Sequence, residues 1–314
     1  MIDRWIAEAA RTLRELGAGN PRFEAELLLA QAIQRPRTFL FTHPEYQPTS
    51  KERARLNELL GRRLSGEPLQ YVLGTAAFRD LTLRVGPGVL IPRSETEILV
   101  EIAWDALGRW HQRSPRAAPA PWVIDVGVGS GAILLALLYE ATHMLLAQCD
   151  DPGTPQVWFH ALGIDVAPIA LGYTVDNARL NELPRPALAC GDLLSCVRIA
   201  AGASGSASGG PSVAAIVSNP PYIPSAEMFG LQPEIREHEP PVALHGGADG
   251  LDVVRRLLDE ALPFVRQGAI LCFEIGEEQE AAVRAELAER GLDRLTTVHT
   301  DLAQRPRVVL VEPD

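Results

Sequence analysis

Lysine is almost missing from this chain. Lys51 is the only one, so nearly all the positive charge is arginine. The 29 basic residues face 40 acidic ones, for a formal charge of −11. That balance argues against a broad grip on a nucleic-acid backbone, which needs clustered Lys and Arg, and direct nucleic-acid binding is not expected. Cysteine is also scarce. Cys149, Cys190, Cys196 and Cys272 form no C-x-x-C pair and no zinc-like spacing with histidine, so they read as reduced structural thiols of a cytoplasmic protein, with no metal site. Long apolar runs are absent: none approaches the ~18 residues of a membrane span. The best candidate, Ala132 to Ala147, is broken by Glu140 and His143 and reads as a buried helix. At the start, Met1-Ile-Asp-Arg-Trp-Ile-Ala-Glu puts charges where a secretory signal needs an apolar core. A soluble protein without membrane association is expected, and a monomer.

What is present is ordinary globular material: 314 residues, 46% hydrophobic and 22% charged, enough for two domains with cores of their own. Residues 1–70 read as a helical bundle. Trp5, Ile6, Ala9, Leu13 and Leu16 recur at helical spacing before Gly17, and Asn20 precedes Pro21 as a cap. Phe23, Leu27 and Leu28 form the expected stripe of the second helix, and a further helix runs from about Ser50 to Leu64. Residues 71–92 change to short alternating runs, with Phe78, Leu81, Leu83 and Val85 before Gly86-Pro87-Gly88. This predicts a β-hairpin linker with those last three residues as its turn. Residues 93–314 form the third region. Ser94 to Glu97 has capping-box spacing ahead of a helix with Ile98, Leu99, Ile102 and Ala103 on one face. Strands and helices then alternate up to a last strand at Val308 to Val311, which predicts an α/β fold: a mostly parallel sheet with helices on both faces. Two irregular inserts, 148–156 and 200–212, interrupt it.

The first strand runs into Asp125-Val126-Gly127-Val128-Gly129-Ser130-Gly131 and then a helix. Glycines here permit a tight turn and close approach of a ligand, and the helix N-terminus offers unpaired N–H groups. The loop fits cofactor binding through Gly127, Val128, Gly129, Ser130 and Gly131. It also fits a dinucleotide fingerprint or a merely structural turn. Asp165 ends the second strand, where a carboxylate can accept from two ribose hydroxyls. Asp192 follows the third strand, within reach of an adenine amino group, with Leu193 beside it. Acids at successive strand ends suit an adenosine ligand at the carboxyl edge of the sheet.

The fourth strand ends in Asn219-Pro220-Pro221-Tyr222. The two prolines fix the backbone and lack N–H donors, so their carbonyls remain acceptors. Asn219 Oδ1 and the Pro220 carbonyl can each take one N–H of a planar –NH2 group while the Tyr222 ring stacks on its plane. An amide or aromatic amine is a poor nucleophile, and orienting it supplies roughly 7–11 kcal/mol in favourable cases. On these grounds Asn219, Pro220 and Tyr222 are the catalytic candidates. Asn219 through Tyr222, with Pro221, form the substrate site, and Asn219 also borders the cofactor.

Asp125 to Gly131, Asp165 and Asn219 to Tyr222 resemble S-adenosylmethionine-dependent amino-group methyltransferases. They are most similar to the HemK-type peptide-chain release factor glutamine N5-methyltransferases. Gly66 to Tyr71, Pro87 to Arg93, Glu95-Thr96-Glu97, Glu239-Pro240, Ala243-Leu244, Gly246-Gly247, Asp249-Gly250 and Glu274-Ile275-Gly276 extend the resemblance over nearly the whole chain. It departs at Ser94, where a proline is usual, and at Leu193, where an aromatic often packs on adenine.

The resemblance implies a Rossmann-like class I methyltransferase sheet, S-adenosyl-L-methionine as cofactor, and a helical domain that engages the substrate protein. The implied substrate is the glutamine of the Gly-Gly-Gln tip of class 1 release factors. The competing reading is a nucleic-acid methyltransferase acting on the exocyclic amine of adenine or guanine, which shares the Asn-Pro-Pro-Tyr chemistry. A non-catalytic binder is disfavoured by the intact motif, and a nicotinamide dehydrogenase leaves that motif unexplained. Arg93 reads as a structural arginine on the hairpin, with a contact to the acidic loop at Glu95 as the alternative. Glu95 and Thr96 fit either the methionine end of the cofactor or the cap of their own helix.

Overall fold

The computed structural model describes residues 2–113, 120–148, 157–197 and 213–313. Cys149 and, apart from Gln148, the two expected inserts lie outside the described residues. The chain divides into two units: Met1–Ala76 with Val85–Pro87 and Gln232–His238, and Ala77–Arg84 with Gly88–Leu231 and Glu239–Asp314.

The smaller unit is helical: α1 (Ile2–Leu16), α2 (Pro21–Ile33), α3 (Arg37–Thr42), α4 (Ser50–Leu64) and α5 (Leu69–Leu73), joined by the short helix Pro233–His238. Ile6, Ala9 and Leu13 are buried on α1 as the sequence predicts, joined by Ile2 and Ala10, whereas Trp5 is only partly buried and Leu16, at the helix end, is exposed to solvent. Asn20 caps α2 by accepting from Phe23 N–H at 3.3 Å. The expected stripe of α2 needs correction. Phe23 is exposed beneath the Arg37 guanidinium, 4.8 Å from its ring, and the buried residues include Ala25, Leu28, Leu29 and Ala32. Two acids cause the change. Glu24 and Glu26 are buried because Arg63 (2.9 Å) and Arg37 (2.6 Å) neutralise them, so α2 is covered nearly all round. Arg63 also reaches Glu234 at 3.0 Å, which ties the helix Pro233–His238 to α4. Lys51 is exposed on the first turn of α4.

A hairpin follows, β1 (Thr75–Phe78) and β2 (Leu81–Arg84). Its turn is Arg79-Asp80, with Arg79 at φ 49°, and not Gly86-Pro87-Gly88, which bends the chain after the hairpin. The capping box at Ser94 is likewise absent. Helix α6 (Thr96–Arg113) opens two residues later, and the Glu97 carboxylate accepts from Arg79 N–H at 3.0 Å instead of from its own helix. The larger unit continues with β3 (Trp122–Val126), α7 (Ala132–Gln148), β4 (His160–Asp165), α8 (Pro168–Leu180), β5 (Ala187–Cys190) and β6 (Val213–Ser218). Past the Pro233–His238 helix, here α9, come α10 (Asp252–Val265), β7 (Ile270–Glu274), α11 (Glu280–Glu289), β8 (Thr296–Thr300) and β9 (Pro306–Val311).

The sheet order is β5-β4-β3-β6-β7-β9-β8, parallel except for β9, which runs antiparallel to β7 and β8. The expected α/β architecture is therefore present. Alternate residues feed two cores. Val123, Val217 and Cys272 face α6 and α7; Ile124, Ile216 and Phe273 face α10 and α11. Strand β8 is an addition to the expected set. The chain leaves β3 outward to β5 and returns at β6, so the carboxyl ends of β3 and β6 part at the centre of the sheet. Such a reversal opens the crevice where ligands bind in open α/β sheets. The three described cysteines are free: Cys272 is buried, whereas Cys190 and Cys196 are exposed. No described helix is long and apolar enough to cross a membrane.

Candidate active site

At that crevice lies a cavity of about 590 Å³, the size of a small-molecule site. Gly127 (φ 77°) and Gly129 (φ 54°) turn the β3–α7 loop in the left-handed region, and a Cβ on Gly127 would meet nothing within 4 Å. The bare backbone leaves room for a ligand to touch it. Asp165 at the end of β4 accepts from Gly129 N–H and Ala167 N–H, each at 2.9 Å, which holds the carboxylate at the cavity wall. A carboxylate has about four acceptor sites, so lone pairs remain for a diol. Val128, Val166, Ala170 and Leu193 give the same cavity an apolar flank, and Leu193 is itself held at φ 49°. Asp192 lines it too, its carboxylate paired with Arg256 at 2.8 Å.

The expected residues gather here unevenly. Gly127 through Ser130, Asp165, Asp192, Leu193, Asn219 and Pro221 line the cavity. Gly131, Pro220 and Tyr222 are not among its lining residues. Gly131 packs at the foot of α7, where a Cβ would come within 2.9 Å of Leu135 and 3.0 Å of Thr174. Beneath the loop, Asp125 is fully buried. One oxygen accepts from Leu134 N–H at 3.1 Å and the other has no partner among the described residues. Burial pushes its pKa up to about 7, against the Leu134 N–H, with the nearby Asp165 charge adding to the rise.

Asn219 stands where β6 ends. Its Nδ2 donates to Thr96 Oγ1 at 3.0 Å, and its Oδ1 accepts no hydrogen bond among the described residues. Thr96 donates in turn to Glu274 Oε2 at 2.7 Å, while the Tyr222 hydroxyl donates to Glu274 Oε1 at 3.1 Å. Burial pushes the Glu274 carboxyl above the usual range. Burial, followed by the Glu274 charge, raises Tyr222, which stays protonated. Around this segment the chain closes tightly. Gln279 Nε2 donates to the Tyr222 carbonyl at 2.9 Å, and a Cβ on Gly250 would collide with that same oxygen. Arg93 does not face Glu95: it pairs with buried Glu239 at 2.6 Å, and the other Glu239 oxygen accepts from Ile91 N–H at 3.1 Å.

The family model of the PrmC N-terminal domain matches residues 4–74. The release factor glutamine methyltransferase of Caulobacter vibrioides is 35% identical over 311 residues, 99% of this chain and 95% of that protein. That of Moorella thermoacetica is 36% identical over 308 residues, covering 97% and 96%. The chain belongs to the release factor glutamine methyltransferase family. A third member, from Streptomyces coelicolor, is 35% identical over 304 residues, covering 96% and 94%. For a member of this methyltransferase family, sequence reasoning assigned no role to Glu239, Glu274 or Gln279. The first two stand in stretches that carry the resemblance, but their partners lie 146 and 178 positions away.

Proposed function

We propose that this enzyme transfers a methyl group from S-adenosyl-L-methionine to the side-chain amide nitrogen of the glutamine in the Gly-Gly-Gln motif of class 1 release factors. Family membership supports the reaction. The observation that carries the site assignment is the Asn219 amide: its NH2 is committed to Thr96, which leaves Oδ1 as an acceptor at the cavity. The bare glycine loop, the Asp165 carboxylate and the apolar flank at Leu193 fit an adenosine, and Asp192 suits its amino group. Gly127 through Ser130, Asp165, Asp192 and Leu193 would hold it, while Gly131 lets the helix foot pack closely. When bound, S-adenosylmethionine supplies a sulfonium methyl group, an electrophile that needs no metal.

The chain's own contribution is orientation. Asn219 Oδ1 and the Pro220 carbonyl, which receives no backbone N–H among the described residues, each take one N–H of the substrate amide. The nitrogen is thereby turned toward the methyl group. Both acceptors strengthen as positive charge builds on the nitrogen, so they favour the transition state over the ground state. Tyr222, its hydroxyl fixed on Glu274, keeps its ring upright for stacking against the planar amide. Pro221 stiffens the turn between them. No strongly basic residue is needed to remove the proton, because the N-methylated amide sheds it to solvent.

Methyl transfer from radiolabelled S-adenosylmethionine to three acceptors tests this. They are a purified class 1 release factor, its Gln→Ala variant at the Gly-Gly-Gln tip, and unmethylated DNA. Label on the wild-type factor alone is expected. Label on DNA, or on both protein forms equally, would overturn the substrate assignment.

A further inference from the structure

Resting on that glutamine-methylating reading, we infer that Thr96 and Glu274 are positioning residues: they dictate which end of the Asn219 amide faces the substrate and hold the Tyr222 hydroxyl in place. An Asn side chain is nearly symmetrical in shape but opposite in chemistry at its two ends. Turned over, Asn219 would offer the substrate NH2 a donor where it needs an acceptor. Something must therefore break the symmetry, and the structure shows what does.

Glu274 ends β7 fully buried, with no ion pair among the described residues. In the structure neither of its oxygens donates: each accepts from a hydroxyl, Thr96 at 2.7 Å and Tyr222 at 3.1 Å, so both hydroxyls are donors. A threonine hydroxyl has one hydrogen. Having given it to Glu274, Thr96 can only accept from Asn219, and so the Nδ2 end lies 3.0 Å away on its oxygen. Direction passes from the carboxylate through the hydroxyl to the amide. The three groups come from the start of α6, the end of β6 and the end of β7, so their meeting is a product of the fold. A glutamine at 274 would have almost the same shape but would carry one donor and one acceptor. One hydroxyl would then be free to reverse, and with Thr96 reversed the Asn219 amide turns over.

The test uses the full-length enzyme with a purified release factor and S-adenosylmethionine. Glu274→Gln, Thr96→Val and Thr96→Ser are compared for kcat, for release-factor KM, and for cofactor Kd by titration calorimetry. Glu274→Gln and Thr96→Val should lower kcat tenfold or more with cofactor Kd within twofold of wild type. Thr96→Ser, which keeps the hydroxyl, should restore kcat to within about threefold. Should Glu274→Gln not fold, the Thr96 pair decides. The inference is overturned if Thr96→Val keeps near-normal kcat, if Thr96→Ser falls as far as Thr96→Val, or if cofactor affinity drops in step with kcat. No transfer by the wild-type enzyme would instead overturn the proposed function, and this inference with it.

Discussion

At the scale of single residues, Asn219 and Asp125 lead to opposite kinds of prediction. Asn219→Ala removes one preorganised acceptor and leaves the glycine loop and Asp165 untouched. Turnover should fall on the order of 10²–10³-fold, while cofactor Kd measured by calorimetry changes little. Asp125 concerns stability. Its folded pKa of about 7 lies above the ordinary carboxylate value of 3.8, so the folded state holds the proton more tightly. Asp125 therefore contributes most below pH 4, and that contribution is lost as pH rises toward 7, at about 1.4 kcal/mol per pH step of one between the two values. Asp125→Asn, which never ionises, should gain in melting temperature relative to wild type as pH is raised from 4 to 7. A gap independent of pH would contradict this. The glycine loop, Asp165 and Asn219 were legible because each is local: a strand end, a turn and a few neighbours spell out the chemistry. Glu274 was not, because its meaning lies in two hydroxyls borne by Thr96 and Tyr222, and no spacing rule relates those three positions.

Among the elements, strands buried on both faces announced themselves as apolar runs, and β3, β6 and β7 stand close to where the sequence places them. Strand β8 was hidden: Thr296 to Thr300 mixes threonine and histidine, and it is a strand only because β9 pairs with it. The hairpin turn was misplaced for a different reason. Glycine and proline marked a real bend at 86–88, but the reversal itself uses Arg79 in the left-handed region, a conformation uncommon for a non-glycine residue. The loop that follows the Asn-Pro-Pro-Tyr segment shows how one element constrains another. Leu244 O accepts from Ile223 N–H at 2.9 Å, and a side chain on Gly250 would run into the Tyr222 carbonyl. A methyl group on Gly250, at φ 81°, would strain the loop and displace that oxygen from Gln279. Gly250→Ala should thus cut methyl transfer tenfold or more with cofactor Kd nearly unchanged. Equal loss of both would place the damage in the sheet instead.

On the scale of the whole molecule, the chain contributes to the helical unit at three separate stretches, and Arg63 secures one of them. Arg63→Ala would leave Glu24 and Glu234 without their cation, at a cost on the order of 3 kcal/mol. Urea denaturation should show that loss, with cofactor affinity unchanged, because every residue lining the cavity belongs to the larger unit. The sheet carries a different lesson in the order of its strands. Strand β9 lies between β7 and β8, yet it is synthesised after both. While the nascent chain emerges, β7 presents an open apolar edge and β8 has nothing to join until residues 306–311 arrive. Unpaired edges of that kind invite other chains. A chain that ends short of Pro306 would therefore carry every residue of the glycine loop but an unfinished sheet. Such a fragment is a hazard for aggregation, so an early stop in this gene would cost the cell solubility as well as the enzyme.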